Sequence, residues 1–350
     1  MRGDGARPLA DVAADLTSPF GLEDLATADV PLVAADLCEG IDSAPDDALR
    51  RALASVRAVT VAVLGPDPDR FTAELAELFD IVLAPPGFAG TAVDVSDVGA
   101  AVDEIAAAVA AHPQASVALV ELLRIGAYER VPQGLVLESL TYSTLQAGPE
   151  FRSWLQARGP KELPEETGTP VIVERQGTAL VLTLNRPARA NAFVAAMRDA
   201  LVEALRTAAA DPTVEGVVIV GAGASFCSGG DLAEFGTTPD PAIGHATRVT
   251  RSAGWWIDHL AHDVRVHLHG HCIGAGIELP AFAGTILAAP DARSRLPEVS
   301  MGLVPGAGGT VSIQRRIGRH RTAWLALTGA ELTAEQALSC GLVDRIAARD

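Results

Sequence analysis

The chain has 350 residues, 49% hydrophobic and only 4% aromatic, a composition typical of a globular protein long enough for two domains. Its formal net charge of -17 argues against nucleic acid and anionic membrane surfaces as partners, because both require a basic protein surface. No apolar run approaches the roughly 20 residues of a membrane span, and residues 1–19 lack the apolar core of a signal peptide, so we expect a cytoplasmic protein.

The first part of the chain alternates short apolar runs with helical stretches. Apolar runs at 31–37, 59–65 and 80–85 predict buried strands, and the amphipathic stretch at 46–56 predicts a helix. This order is typical of a small α/β unit.

Residues 95–158 change to a helical pattern in which successive stretches end at Gly or Pro. Two acidic residues, Glu121 and Glu138, lie on these predicted helices. Acids on helices are mostly solvated or help to cap the helix end. We therefore interpret both residues as having no catalytic role.

A cluster of prolines, glycines and charges, in ARGPKELPEETGTP, predicts a linker at 159–170. The patterned segments that follow predict a β-hairpin, an amphipathic helix and a buried strand, at 171–187, 190–211 and 216–223. The sequence thus predicts two domains, 1–158 and 171–350, with alternating strands and helices in the second.

Three glycine-rich turns follow strands in the second domain. They are SFCSGGDL, HCIGAGIEL and LVPGAGGT, at 225–232, 271–279 and 303–310. Glycines let the backbone approach a ligand closely, and a helix that begins at such a turn points free N–H groups at the ligand. None of the turns is a Walker loop or a GxGxxG after a first strand, so neither common nucleotide-binding motif fits.

In this combination and order, the turns resemble those of the crotonase family, the enoyl-CoA hydratases and isomerases. The resemblance covers residues 171 to about 346 through LTLNRPARANA, SFCSGGDL, HGHCIGAGIEL, LPEVSMGLVPGAGGT and LTGAELTAEQALSCGLVDRI. It implies the ClpP/crotonase fold, an α/β spiral of ββα units. It also implies an acyl-CoA substrate, with coenzyme A as part of that substrate and no further cofactor.

The family's shared catalytic device is an oxyanion hole of two backbone N–H groups, which polarises the thioester carbonyl and stabilises an enolate. Matched through the motifs, the two donors fall on Gly230 and Ala275. Donors fixed by glycine turns and a helix N-terminus need no reorganisation as charge develops on the substrate.

Two glutamates match the catalytic acids of the family's hydratases. Glu278 is the only charged residue in an apolar run that reads as the start of a buried helix, where an acid is costly without a function. By resemblance, Glu278 helps to deprotonate a water for attack on Cβ, and Glu298 delivers a proton to Cα. We expect the two carboxyls to titrate as a coupled pair, with one pKa raised toward neutrality. Pro280 follows closely and is expected to bend the first turn of the helix.

The motifs also suggest contacts to coenzyme A. Arg186 and Arg189, in NRPAR, are candidates for its phosphates, with solvated surface arginines as an equally open alternative. Ser228 and Asp231 complete the predicted contacts. Position 233 is alanine, where relatives often have a lysine near the nucleotide end of coenzyme A.

Polar residues occupy a strand, 263–269, that is usually apolar in the family. Arg265, His267 and His269 share one face of it by strand alternation. A metal site formed by His267, His269 and His271 would lack a supporting carboxylate or cysteine. We therefore predict buried, hydrogen-bonded histidines and no metal site.

Family members normally continue past GLVDRI for several helices that cover the acyl pocket and support a trimer. Here 101–158 resembles that helical tail through ESLTYS and EFRSWL. We interpret 1–158 as a degenerate crotonase-like unit that kept its tail and lost its active-site motifs. The resemblance further implies a homo-oligomer, either a trimer or a hexamer.

The presence of both acids favours reversible hydration of a 2-enoyl-CoA thioester. Family members that catalyse isomerisation, decarboxylation or thioester hydrolysis often lack or replace one of the acids, and these reactions remain alternatives. A third alternative is a non-catalytic assembly partner, which the retained acids and oxyanion-hole turns argue against.

Overall fold

The computed structural model describes residues 5–41, 44–88, 90–162, 168–238 and 240–348. The chain divides into two compact units, each formed from two segments. The first consists of Met1–Ile125 and Gly318–Thr328, and the second of Gly126–Ile317 and Gly329–Asp350.

The first unit is built on a five-stranded sheet in which all neighbouring strands are parallel and their order follows the chain. Its strands are β1 (Arg7–Pro8), β2 (Leu32–Asp36), β3 (Val59–Val63), β4 (Ile81–Ala84) and β5 (Val93–Asp94). Its helices are α1 (Leu9–Thr17), α2 (Gly21–Ala26), α3 (Asp47–Ser55), α4 (Arg70–Ala76), α5 (Val98–Ala111) and α6 (Pro113–Ile125). The three apolar runs predicted as strands are β2, β3 and β4. Every residue of β3 is buried, as expected for a central strand of a parallel sheet.

Helices α5 and α6 form the apolar, alanine-rich part of this unit. Across the described residues, no single helix is long and apolar enough to cross a membrane. Only α5 and α6 taken together reach that length and composition, and they are bent by 111° relative to each other.

A segment distant in sequence, Gly318–Thr328, completes the first unit. The guanidinium of Arg319 donates to the carbonyl of Phe79 at 2.9 Å. The buried ring of His320 places Nδ1 3.1 Å from the carbonyl oxygen of Asp80. The sequence does not predict these contacts, because groups about 240 residues apart leave no local pattern.

The second unit contains a six-stranded sheet, ordered β14-β11-β9-β8-β7-β6, and a three-stranded sheet, ordered β10-β12-β13. The strands are β6 (Val171–Gln176), β7 (Ala179–Leu184), β8 (Gly216–Gly221), β9 (Val264–Leu268), β10 (His271–Ile273), β11 (Thr285–Ala288), β12 (Arg293–Arg295), β13 (Leu332–Thr333) and β14 (Arg345–Ile346). The helices are α7 (Val131–Gln146), α8 (Pro149–Arg158), α9 (Ala195–Ala210), α10 (Pro241–Thr250), α11 (Ala253–His259), α12 (Ala275–Glu278), α13 (Gly309–Thr328) and α14 (Ala334–Ser339). The predicted hairpin is β6 and β7, which pair antiparallel. Helix α13 is broken at Gly318, where φ is 79°, and its second part belongs to the first unit.

The compact units differ from the predicted domains 1–158 and 171–350, because the division falls at Gly126. Helices α7 and α8 belong to the second unit, where α7 packs against α10 and α11. The apolar residues of these two helices are buried in the second unit. The boundary between the units therefore does not follow from the order of the elements along the chain. Residues 163–167 of the predicted linker lie outside the described residues.

The polar strand behaves partly as predicted. Along β9, alternate residues are buried, while Arg265 is exposed and His267 is half-buried. His269 lies just beyond the strand, is buried, and places Nε2 3.2 Å from the carbonyl oxygen of Gly223. His271 is exposed at the start of β10, in the other sheet. The prediction of a buried, hydrogen-bonded histidine is therefore confirmed for His269 but not for the half-buried His267.

Candidate active site

Two of the glycine turns lie side by side in the second unit. Cys227, in the first turn, pairs with Cys272 of β10 in an isolated parallel bridge. The N–H of Ile273 donates to the carbonyl of Cys227 at 3.0 Å, and Gly229 has so little space that an added Cβ would lie 3.0 Å from the carbonyl oxygen of Ile273. The backbone of each turn is thus held against that of the other.

This contact places the backbone of Gly230 and Ala275 on one cavity of about 230 Å³. Ala275 is the first residue of α12, so its N–H has no partner within the helix. Neither the N–H of Gly230 nor that of Ala275 donates to another described residue. Two residues that line the cavity thus have backbone N–H groups without a partner in the described part of the chain, as an oxyanion hole requires.

Glu278 is the last residue of α12 and lines the same cavity, only 2% exposed. Its carboxylate accepts hydrogen bonds from the N–H groups of Ala307 at 2.8 Å and Gly309 at 2.9 Å. Burial raises the pKa of Glu278 to about 7, and the backbone donors limit the rise because they stabilise the ionised form. Helix α12 ends before Pro280, which begins a separate 3₁₀ turn, so the predicted bend is a helix end.

Glu298 reaches the cavity from a 3₁₀ turn after β12 and is 8% exposed. Its Oε2 atom is buried and has no hydrogen-bond partner among the described residues. Burial and the nearby charge of Glu278 raise the pKa of Glu298 well above its ordinary value. The pKa values of both acids are raised, where we expected one, and the two acids differ in how their ionised forms are stabilised.

The position of Glu298 explains the glycine at 274. Gly274 has φ of +52°, a conformation that favours glycine. A Cβ on Gly274 would lie only 2.4 Å from Oε1 of Glu298. The residue that precedes the Ala275 donor therefore has to be small enough to admit the acid.

A third buried acid, Glu138 of α7, lines the cavity. It accepts hydrogen bonds from the N–H of Gly308 at 2.7 Å, and from the N–H and hydroxyl of Thr310 at 3.0 and 2.7 Å. Burial, followed by the charge of Glu278, raises the pKa of Glu138 to about 8. The interpretation of Glu138 as a solvated residue was therefore wrong, whereas its bond to the N–H of Thr310, in the first turn of α13, is a capping contact.

Successive amides of the third glycine turn alternate between two acids. The N–H groups of Ala307 and Gly309 face Glu278, and those of Gly308 and Thr310 face Glu138. Helix α7 and helix α12 are thereby connected through one short loop.

Sequence comparisons identify the family to which the half of the chain that carries this site is similar. The sequence model described as enoyl-CoA hydratase/isomerase matches residues 174–350. The 2,3-dehydroadipyl-CoA hydratase of Escherichia coli (strain K12) is 36% identical over 176 residues, which cover 50% of this chain and 68% of that protein. The chain belongs to the enoyl-CoA hydratase/isomerase family. The predicted family and crotonase-type α/β fold are confirmed.

Other members of the family are similar over the same half. The 1,2-epoxyphenylacetyl-CoA isomerase of Escherichia coli (strain K12) is 35% identical over 168 residues, covering 47% of this chain and 64% of that protein. A crystal structure of enoyl-CoA hydratase from Mycobacterium smegmatis has 33% identity and a TM-score of 0.48, covering 51% of this chain and 70% of that chain. The origin of residues 1–158 as a degenerate family unit stays a prediction.

Of the residues expected to contact coenzyme A in this family member, Arg186 and Asp231 are buried and engaged with each other. The guanidinium of Arg186 lies 3.1 Å from the Asp231 carboxylate, and both side chains are less than a tenth exposed. Arg186 also donates to the carbonyl of Ala192. This placement does not support the phosphate contact expected of Arg186, and instead assigns it to holding the turn.

Three of the four residues, Arg189, Ser228 and Asp231, lie on a second cavity of about 650 Å³. Arg189 and Ser228 line it, and the Arg189 side chain is half exposed while it also approaches Asp231. Lys161, the only lysine in the chain, lines the same cavity. Gly230 and Glu298 border both cavities, so the proposed donor and acid lie at their junction.

Proposed function

We propose that the protein catalyses reversible hydration of a 2-enoyl-CoA thioester. One observation supports this most strongly: two buried carboxyls, Glu278 and Glu298, share a cavity with two free backbone N–H groups. Hydration needs one group that accepts a proton from water and another that gives a proton to carbon.

The thioester carbonyl would accept hydrogen bonds from the N–H groups of Gly230 and Ala275. Negative charge grows on this oxygen as water adds to the conjugated double bond. Donors of this kind typically contribute about 10² to 10³-fold each to turnover. Their placement on two mutually braced turns keeps them oriented before the substrate arrives.

The environments of the two acids support different roles. The N–H groups bound to Glu278 favour its ionised form, so Glu278 accepts a proton from water as the water oxygen bonds to Cβ. Glu298 lacks such donors at Oε2 and is held protonated, so it gives its proton to Cα. The C=C bond becomes a single bond, and both glutamates return to their starting states by proton exchange with solvent or product.

The second cavity is the proposed place for the coenzyme A part of the substrate, with Arg189, Ser228 and Lys161 on its wall. The proposed reaction needs no cofactor apart from the coenzyme A carried by the substrate. The relatives named as hydratases of CoA thioesters support this substrate class.

The predicted homo-oligomer also remains part of this proposal. A trimer or hexamer should be visible by multi-angle light scattering of the purified chain. A monomer throughout the micromolar range would contradict it.

Incubation with crotonyl-CoA tests the activity directly. Loss of the enoyl thioester absorbance, with formation of 3-hydroxybutyryl-CoA, is the expected result. An isomerase, the class named for one relative, would instead rearrange its substrate without adding water. Mass spectrometry distinguishes the two, because only hydration increases the mass of the product. No turnover of any enoyl-CoA, with intact fold and CoA binding, would favour a non-catalytic role.

A further inference from the structure

The wall of the smaller cavity carries a guanidinium that the proposed hydration does not use. Arg248 lies in α10, and its side chain is half-buried against α7. It donates from Nε to the hydroxyl of Ser139 at 3.1 Å and also donates to the hydroxyl of Ser143. The guanidinium stacks over the ring of Tyr142, 4.5 Å from its centre.

All these partners are neutral. A more distant contact, 3.4 Å to the side-chain oxygen of Gln146, is neutral as well. Within the described ranges, Arg248 makes no ion pair with a carboxylate. The guanidinium is therefore oriented by hydrogen bonds and ring stacking, while its charge has no direct partner.

The other two arginines on this cavity differ in that respect. Arg198 lies 3.0 Å from the carboxylate of Asp199. Arg251 lies 3.1 Å from Asp199 and 2.9 Å from Glu203. Their charges are balanced by adjacent acids, so they do not explain why the cavity contains a third, unpaired guanidinium.

The buried glutamates make no ion pair with Arg248, although the charge of Glu138 acts on its pKa from a distance. Glu138 is the nearest of them in sequence to Ser139, but its carboxyl is already hydrogen-bonded to Gly308 and Thr310. Its raised pKa, about 8, leaves it largely protonated at neutral pH. Leaving a charged group half-buried without a counter-ion is costly, which favours a partner that arrives with the ligand.

We propose that Arg248 binds an anionic group at the far end of the acyl chain, so that the preferred substrate is a 2-enoyl-CoA whose acyl group ends in a carboxylate. The inference rests on the proposed hydratase function and specifies its substrate class. The hydrogen bonds to Ser139, Ser143 and Gln146 fix the guanidinium and leave one of its five N–H groups, together with the positive charge, for a carboxylate. That charge distinguishes a substrate that carries a carboxylate from an uncharged one.

The dimensions of the cavity agree with a short acyl group. Its volume of about 230 Å³ lies below the ~300 to 1,000 Å³ of ordinary small-molecule pockets. Arg248, Glu278 and the two backbone donors all line this one space. A short dicarboxylic chain would thus reach the guanidinium with its reactive carbons beside the acids.

A matched pair of substrates tests the proposal. The mono-CoA thioester of trans-hex-2-enedioic acid and trans-hex-2-enoyl-CoA have the same number of acyl carbons and differ in the terminal carboxylate. We expect kcat/KM to be higher for the dicarboxylic substrate. Arg248→Gln should lower that value by about 10- to 100-fold, the range for a charge-assisted hydrogen bond, and change the value for hexenoyl-CoA much less. Arg248→Lys, which keeps the charge, should retain part of the preference.

Arg251→Gln provides the matched control, because Arg251 lines the same cavity but is paired with two acids. It should leave the ratio of the two kcat/KM values unchanged. A wild-type enzyme without preference for the carboxylate, or an equal loss for both substrates in Arg248→Gln, would overturn the proposal and assign Arg248 to holding α10 on α7.

Inhibition by free coenzyme A separates the two sources of an anionic group. If Arg248 binds the acyl carboxylate, Arg248→Gln leaves the inhibition constant unchanged. If it binds a phosphate of coenzyme A, the constant rises and the proposal is wrong. If the protein hydrates neither of these substrates nor crotonyl-CoA, the proposed function itself is refuted. If it hydrates hexenoyl-CoA but not the dicarboxylic substrate, only the acyl specificity is refuted.

Discussion

The two glutamates proposed as catalytic, Glu278 and Glu298, show how a similar burial gives unequal acids. Glu278 is bound by two backbone N–H groups, whereas Oε2 of Glu298 has no partner in the described part of the chain. Donors to a carboxylate favour its charged form, and burial alone favours the neutral form. The backbone of the third glycine turn thus favours ionisation of Glu278 over that of Glu298.

The first prediction concerns replacement of these acids. Glu278→Gln and Glu298→Gln keep shape and hydrogen bonding but cannot exchange a proton, so each should lose about 10² to 10⁴-fold in turnover. Binding of the product CoA ester should change far less. The double variant should lose much less than the product of the two, because the residues act on one water.

The wild-type pH profile should be bell-shaped. Activity falls as pH drops below the pKa of Glu278, about 7, since the base becomes protonated. It also falls at high pH, when Glu298 loses its proton. Stopped assays from pH 5 to 10 measure both limbs, and near wild-type turnover in Glu278→Gln would rule out the proposed mechanism.

Gly274 supports a second prediction at the residue scale. Gly274→Ala places a methyl group 2.4 Å from Oε1 of Glu298 in a backbone with φ of +52°. Displacement of the acid and the adjacent Ala275 donor should reduce turnover by about 10- to 100-fold. Gly177→Ala is the control, since φ is +64° there but no atom lies within 4 Å of the added Cβ. If both variants lose equal activity, backbone strain explains the effect and the close approach does not.

At the scale of elements, the third glycine turn depends on an acid that the sequence pattern did not reveal. Helical periodicity places Glu138 on a helix but does not say what that helix faces. Its partners lie about 170 residues away, at Gly308 and Thr310. By contrast, Glu278 and Glu298 could be predicted because each lies within a motif. The signal available in the sequence was the acid of ESLTYS, which lies between apolar residues and could have indicated that Glu138 is buried.

Glu138 is therefore predicted to be a positioning residue. Glu138→Ala leaves two N–H groups and a hydroxyl without their acceptor, which costs about 1 to 3 kcal/mol for each buried donor. Turnover should fall because the same loop holds Glu278. Glu138→Gln keeps one acceptor oxygen and should lose less of both stability and turnover.

The pH profile distinguishes this role from a purely structural one. The charge on Glu138 contributes to the raised pKa of Glu298. Glu138→Gln removes that charge, so the alkaline limb should move to lower pH. Thr310→Val, which removes one donor to Glu138 but keeps its charge, is the control. An unshifted limb in Glu138→Gln would restrict Glu138 to stabilising the loop.

For the whole molecule, the sequence predicts the elements better than their grouping. Patterns of apolar residues with glycine or proline boundaries predict seven strands, β2, β3, β4, β6, β7, β8 and β9, and the helices α3, α5, α6 and α9, whereas the short strands β1, β5 and β10 to β14 were not predicted. These patterns do not predict that α7 and α8 belong to the second unit or that residues 318–328 belong to the first. Such grouping depends on long-range burial: Gly318 marks the break in α13, but a glycine does not show that the residues after it pack in the other unit.

This grouping leads to the last prediction, on truncated chains. A fragment of residues 166–350 lacks α7, which supplies Glu138 to the cavity, and it separates 318–328 from the groups that bind it in the first unit. Exposed apolar surface should make it insoluble or inactive.

A fragment of residues 126–350 restores α7 and α8 and should recover part of the activity, with lower thermal stability than the full chain. Co-expression of 1–165 with 166–350 should restore both, because the break then falls in the predicted linker. Solubility, thermal melting and crotonyl-CoA hydration measure the outcome for all three, and a soluble, fully active 166–350 fragment would show that neither α7 nor the first unit is required.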